Sequence, residues 1–149
     1  MSAAFKIDDK VWRRIVNDVN RAAKVRLQIG VLEGENATIA AVHEFGSPKN
    51  NIPERSFMRA TLINERATIG RLQAKAVAAV IAGKIDGRKA LGRVGAWVAG
   101  AMQAYVVKGS FAPLAPATLA AREARGNESD KPLVDSGQMV DAITWKVED

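Results

Sequence analysis

The sequence predicts an α+β fold in which several helices, two of them long and central, pack on a small antiparallel β-sheet. Apolar and polar residues alternate near the start of the chain and again at its end, the pattern of a strand with one buried face. Between these segments apolar residues recur at steps of three and four, the pattern of a helix with one buried stripe. With 149 residues and 48% hydrophobic content, residues 1–149 are expected to form one domain around one core.

Asp8 and Asp9 are candidate caps for a first helix with Val11, Ile15 and Val19 on one face and Trp12 beside it. In the next segment Val25, Leu27, Ile29 and Val31 alternate with Arg26, Gln28 and Gly30, and Gly34 is expected to end this strand. A short helix over Thr38–Phe45 is stopped by Gly46, and a loop containing Pro48 and Pro53 follows. A long helix is then expected from Phe57 to Ala82, with Met58, Leu62, Ile69, Leu72, Ala76 and Val80 near one face and Gly83 at its end. Arg59, Arg66, Arg71 and Lys75 lie along this segment; a solvated helix surface is the simpler reading, and an anion groove the alternative.

Asp86 can cap the second long helix, whose stripe is Leu91, Val94, Val98, Met102 and Tyr105. Gly92, Gly95 and Gly100 lower its helix propensity, which points to close approach of another helix, in this chain or in a neighbouring subunit. Pro113 and Pro116 interrupt regular structure before a short helix with Leu119, Arg122 and Arg125. Gly126 to Lys131 is expected to be exposed and mobile, and Pro132, Leu133 and Val134 return the chain to the core. Asp135 and Gln138 have capping-box spacing for a last helical turn. Ile143, Trp145 and Val147 then alternate with Thr144, Lys146 and Glu148 in a closing strand that is a candidate partner for the first.

Composition removes several classes of function. The chain has no cysteine, so disulfides and thiolate metal sites are excluded and a reducing compartment is compatible. The start MSAAFKIDDKVW lacks a basic region followed by an apolar run, so synthesis and action in the cytoplasm are expected. Ala90–Val107 is apolar but is interrupted by Arg93, Gln103 and glycines, so no membrane span is expected. A net charge of +6 and a pI near 9.9 favour a polyanionic partner, either nucleic acid or an acidic protein face. Aromatic residues make up 5% of the chain and are scattered, which argues against a base-reading platform. The one histidine, His43, precedes Glu44, but position 47 is serine, so the two-histidine zinc spacing is not formed. Neither a nucleophile elbow nor a phosphate-cradling glycine loop occurs. The expectation is a protein that is not an enzyme and uses no cofactor and no metal.

Three segments carry a family resemblance: Ile39-Ala40-Ala41-Val42-His43-Glu44-Phe45-Gly46, then Ile52-Pro53-Glu54-Arg55-Ser56-Phe57-Met58-Arg59, then Pro132-Leu133-Val134-Asp135-Ser136-Gly137-Gln138-Met139. In this order they resemble the virion-morphogenesis, or tail-completion, proteins of tailed bacteriophages, from about Val25 to the C-terminus. The resemblance implies a structural protein of the head-tail junction, located in the virion after assembly in the host bacterial cytoplasm. It implies a homo-oligomeric ring, hexameric first and dodecameric second, with head-connector and tail proteins as partners and packaged DNA nearby. Its assembly candidates are His43, Glu44, Phe45, Gly46, Pro53, Arg55 and Phe57 in the first two segments, and Leu133, Asp135 and Gly137 in the third. Arg59, Arg66, Arg71 and Lys75 are candidates for lining a DNA channel through salt-sensitive contacts. In physical terms Gly46 stops a helix, Pro53 stiffens the return and Phe57 anchors the loop, with His43, Glu44 and Arg55 as a polar cluster. The rival reading is a basic nucleic-acid-binding module of phage origin.

Overall fold

The computed structural model describes residues 8–148. The expectation about an export signal depends on residues 1–7, which lie outside the described residues. The order is α1 (Asp9–Ala22), β1 (Arg26–Val31), α2 (Gly34–Phe45), a 3-10 turn (Pro48–Asn50), α3 (Met58–Asn64), α4 (Arg66–Ile81), α5 (Gly87–Lys108), α6 (Pro116–Glu123), α7 (Gln138–Asp141) and β2 (Ile143–Glu148). This is the α+β architecture read from the sequence, with helices on a two-stranded antiparallel sheet.

The two strands pair in the register Leu27↔Val147, Ile29↔Trp145 and Val31↔Ile143, which places their apolar residues on one face. A two-stranded sheet is marginal alone. Here α5 packs against both strands and also against α1, α3, α4 and α7, so it is the spine of the fold. Val94, Val98, Met102 and Val106 of α5 meet Phe57, Leu133, Met139 and Ile143 in the core. The side-chain amide of Gln103 donates to the Ile143 carbonyl at 3.1 Å, tying α5 to the start of β2. Among the described residues no helix is long and apolar enough to cross a membrane.

Two predicted caps form as expected: Asp8 accepts from the Lys10 N–H at 2.8 Å and Asp86 from the Lys89 N–H at 2.8 Å. Other expectations need correction. Gly34 does not end the first strand but opens α2 with φ +76°, so that helix begins four residues before Thr38. The expected long helix breaks at Glu65, where ψ reaches 8°. Its face therefore turns, leaving Leu62 and Ile63 exposed while Ile69, Leu72 and Ala76 pack on the core. On α1, Ile15 is half-buried but Val11, Trp12 and Val19 are exposed.

Gly92 and Gly95 of α5 accommodate the sheet, not a neighbouring helix. A Cβ at Gly92 would lie 3.0 Å from the Trp145 ring, and one at Gly95 would lie 2.7 Å from Leu27 and 3.0 Å from Trp145. Gly100 faces open space. The capping box also fails to form: α7 is preceded by Gly137 at φ +86° with no side-chain cap, because the Asp135 carboxylate is engaged elsewhere.

Candidate functional site

The first two motif segments fold into one locked unit. Gly46 ends α2 with φ +71° and ψ 175°, and a Cβ there would come within 3.0 Å of the Glu54 nitrogen and the Ile52 oxygen. The chain then doubles back through paired backbone hydrogen bonds between Ser47 and Ile52, at 2.8 and 3.0 Å. The Arg55 N–H returns to the His43 carbonyl at 2.7 Å, which brings Phe57 into the core fully buried.

Glu44 closes this unit. Its carboxylate is 2% exposed, and it accepts from the backbone N–H groups of Phe57 at 2.8 Å, Met58 at 2.8 Å and Arg59 at 3.0 Å. The Ser56 hydroxyl donates at 2.8 Å and the Arg59 guanidinium at 3.0 Å. Glu44 thus does for α3 what an N-cap does, but from the end of another helix. Burial pushes its carboxyl pKa up; the donors from Arg59, Met58 and Ser56 outweigh that and hold it below its ordinary value.

Of the expected cluster of His43, Glu44 and Arg55, Glu44 turns to the start of α3, and no hydrogen bond joins the three side chains among the described residues, although the Arg55 charge acts on His43. Arg55 donates to the Ala112 and Pro113 carbonyls, each at 2.7 Å, and ties the loop to the segment after α5. His43 faces the other side, where its Nδ1 is buried without a hydrogen-bond partner among the described residues. Burial, then the charges of Arg55 and Arg122, lower its pKa, so the ring is neutral at pH 7.

His43 lines a cleft of about 540 Å³ between α2, α6 and the third motif segment, whose Leu133, Asp135, Ser136, Gly137 and Met139 form the opposite wall. The structure therefore brings together motifs that are distant in sequence. Arg122, 5% exposed, organises this wall: one terminal nitrogen donates to the carbonyls of Ser129 at 3.0 Å, Lys131 at 2.9 Å and Val134 at 3.1 Å. Asp135 completes it by accepting from Asn127 at 2.7 Å and Arg125 at 3.2 Å. Bonds from Asn127 above all, with the charges of Arg122 and Arg125, hold the Asp135 carboxyl below its ordinary pKa. The loop from Gly126 to Lys131, expected to be mobile, is tied down by these bonds. Sequence reading missed Arg122 as the clamp, since nothing in a short helix marks one arginine as buried.

Among the assembly candidates, Glu44, Arg55, Phe57 and Leu133 are buried and serve to hold the surface in shape. Pro53 and Asp135 are exposed, Gly46 and Gly137 half-buried, and Phe45 is 67% exposed. The guanidinium of Arg59 lies 5.3 Å from the Phe45 ring centroid. Because Arg59 also pairs with Glu44 and Glu54, at 3.0 and 2.7 Å, it is separated in role from the exposed Arg66, Arg71 and Lys75. Among the described residues no group of three or more His, Asp or Glu could hold a metal ion. Comparison with protein-family models, curated proteins and solved structures finds no match for the chain.

Proposed function

We propose that the protein is a non-enzymatic structural subunit of the head-tail junction of a tailed bacteriophage, and that copies of it form a ring, hexameric in the first instance, that joins head to tail and extends the DNA channel. The observation that carries this reading is that α2 links all three resemblance-bearing segments: Glu44 locks the Ile52–Arg59 segment on one side of it, and His43 faces the Pro132–Met139 segment across the cleft on the other. Buried Glu44, Arg55 and Arg122 hold these segments in place, and Phe45 leaves apolar area exposed for a neighbour. An exposed aromatic where a helix passes into a hydrogen-bonded loop suits an interface that must repeat identically around a ring.

The test is removal of the gene from its phage, followed by complementation. Loss should leave heads and tails unjoined. Phe45→Asp, an exposed change, should leave thermal unfolding nearly unaltered while lowering the yield of complete particles. Native mass spectrometry of the wild type, with its docking partner where needed, should show a closed ring. Absence of the protein from purified particles, or normal particle yield without it, excludes the reading. The rival nucleic-acid-binding module draws support from the basic surface described next.

A further inference from the structure

Three grooves join around the N-terminal end of α5. The first, about 640 Å³, lies between α5 and β2 and is lined by Arg88, Lys89, Arg93 and Lys146 beside Trp145. It shares Arg88 with a second, of about 280 Å³, which adds Arg21 and Lys24. It shares Arg93 with a third, of about 140 Å³, which adds Lys75. Seven cations and one carboxylate, Asp86, line this continuous belt. Asp86 caps α5 through the Lys89 N–H at 2.8 Å and also pairs with the exposed Lys89 ammonium at 3.9 Å.

Carboxylates at the margin take up part of the charge: Arg21 pairs with Asp18 at 3.2 Å and Lys146 with Glu148 at 2.8 Å. Lys24, Lys75 and Arg93 form no ion pair among the described residues, so the belt keeps a positive excess. Trp145 stands among these cations 38% exposed, its ring lying against α5 where Gly92 and Gly95 present no side chain. The belt was hidden in the sequence because Trp145 and the α5 cations are far apart in the chain and meet only when β2 packs on the helix.

We propose that this belt is a nucleic-acid-binding track, in which backbone phosphates lie along Lys24, Lys89, Arg93 and Lys146 and a base stacks on the exposed part of Trp145. An extended row of cations with few acids matches a phosphate backbone. An indole set within that row gives an unstacked base a π-face, so a single strand is the better ligand. An acidic peptide would use the cations but has no need of the indole. The inference does not rest on the head-tail reading, which is judged by location in the particle, so either can fail alone.

The test is titration of the full-length protein against a fluorescently labelled mixed-sequence oligonucleotide, single-stranded and as its duplex, at two salt concentrations. For about four phosphate contacts, the single-strand Kd should rise roughly 50-fold between about 50 and about 200 mM salt. The paired charge reversal Lys89→Glu/Arg93→Glu should weaken binding at least about tenfold, whereas Lys108→Ala/Lys131→Ala, exposed and outside the belt, should not. Binding should quench indole emission in the wild type and not in Trp145→Phe, with both proteins giving the same circular dichroism spectrum. Salt-independent binding, equal loss in the Lys108/Lys131 variant, or equally effective competition by polyglutamate overturns the proposal. A duplex that binds as tightly as the single strand overturns the role given to Trp145.

Discussion

At Glu44 one carboxylate satisfies the backbone donors that begin α3, neutralises Arg59 and pins the end of α2 to the next helix. Such groups are expensive to leave unmade, because the buried N–H groups have no water to turn to. Glu44→Gln keeps the shape and one acceptor oxygen but turns an NH₂ toward donors and leaves Arg59 without its buried partner. We predict a loss of about 2 to 3 kcal/mol of stability, within the range for hydrogen bonds and ion pairs of buried charges. Urea unfolding measures it, and a loss under about 0.5 kcal/mol, the size of an ordinary surface change, would contradict the capping role. The sequence drew attention to His43, Glu44 and Arg55 and marked Phe57 as the anchor. It could not show that neighbouring His43 and Glu44 serve opposite sides of α2, because that depends on which elements lie around the helix.

At the scale of the element, α5 was the most legible part of the chain. Its stripe repeats without interruption, its cap is an aspartate in the right place, and Val94, Val98 and Met102 are all buried. The break at Glu65 was illegible, since no glycine or proline marks it and the apolar repeat continues through it. The glycines of α5 were noticed, but their partner was misassigned: spacing shows that something comes close, not whether it is a helix or a strand. This yields opposite predictions for two substitutions in one helix. Gly95→Ala drives a methyl to within 2.7 Å of Leu27 and 3.0 Å of Trp145, and should cost about 1 to 3 kcal/mol by overpacking. Gly100→Ala enters open space and should stabilise by about 0.5 to 1 kcal/mol through helix propensity and a restricted unfolded chain. Chemical denaturation of the two variants side by side checks the contrast, and equal effects would mean that the sheet does not sit on Gly95 as described.

For the whole molecule, the sequence disclosed the fold class because two alternating strands and the long helical middle are local patterns, each readable without its neighbours. The surface made where the motifs meet, and the basic belt around α5, depend on tertiary contacts and were legible only as lists of residues. The same tertiary contacts set the response of the protein to acid. His43 has its pKa lowered from 6.5 by burial and nearby arginines, so below about pH 6.5 the unfolded chain takes up a proton that the folded chain resists, and stability falls as pH falls. The carboxyls of Glu44, Asp86 and Asp135 are also held below their ordinary values. Their contribution is complete above the unfolded-chain range near pH 4 and is lost as pH falls through the folded values. Both effects have the same sign. With one histidine and no cysteine in the sequence, the step between about pH 7 and pH 5.5 belongs to His43. The melting temperature should therefore decline in two stages on acidification, one beginning near pH 6.5 and a steeper one below about pH 4.5. His43→Gln should flatten the first stage and leave the second. Scanning calorimetry across this range decides it: a melting temperature that rises from pH 7 to pH 5.5, or a first stage that survives in His43→Gln, would contradict the burial of a neutral imidazole between Arg55 and Arg122.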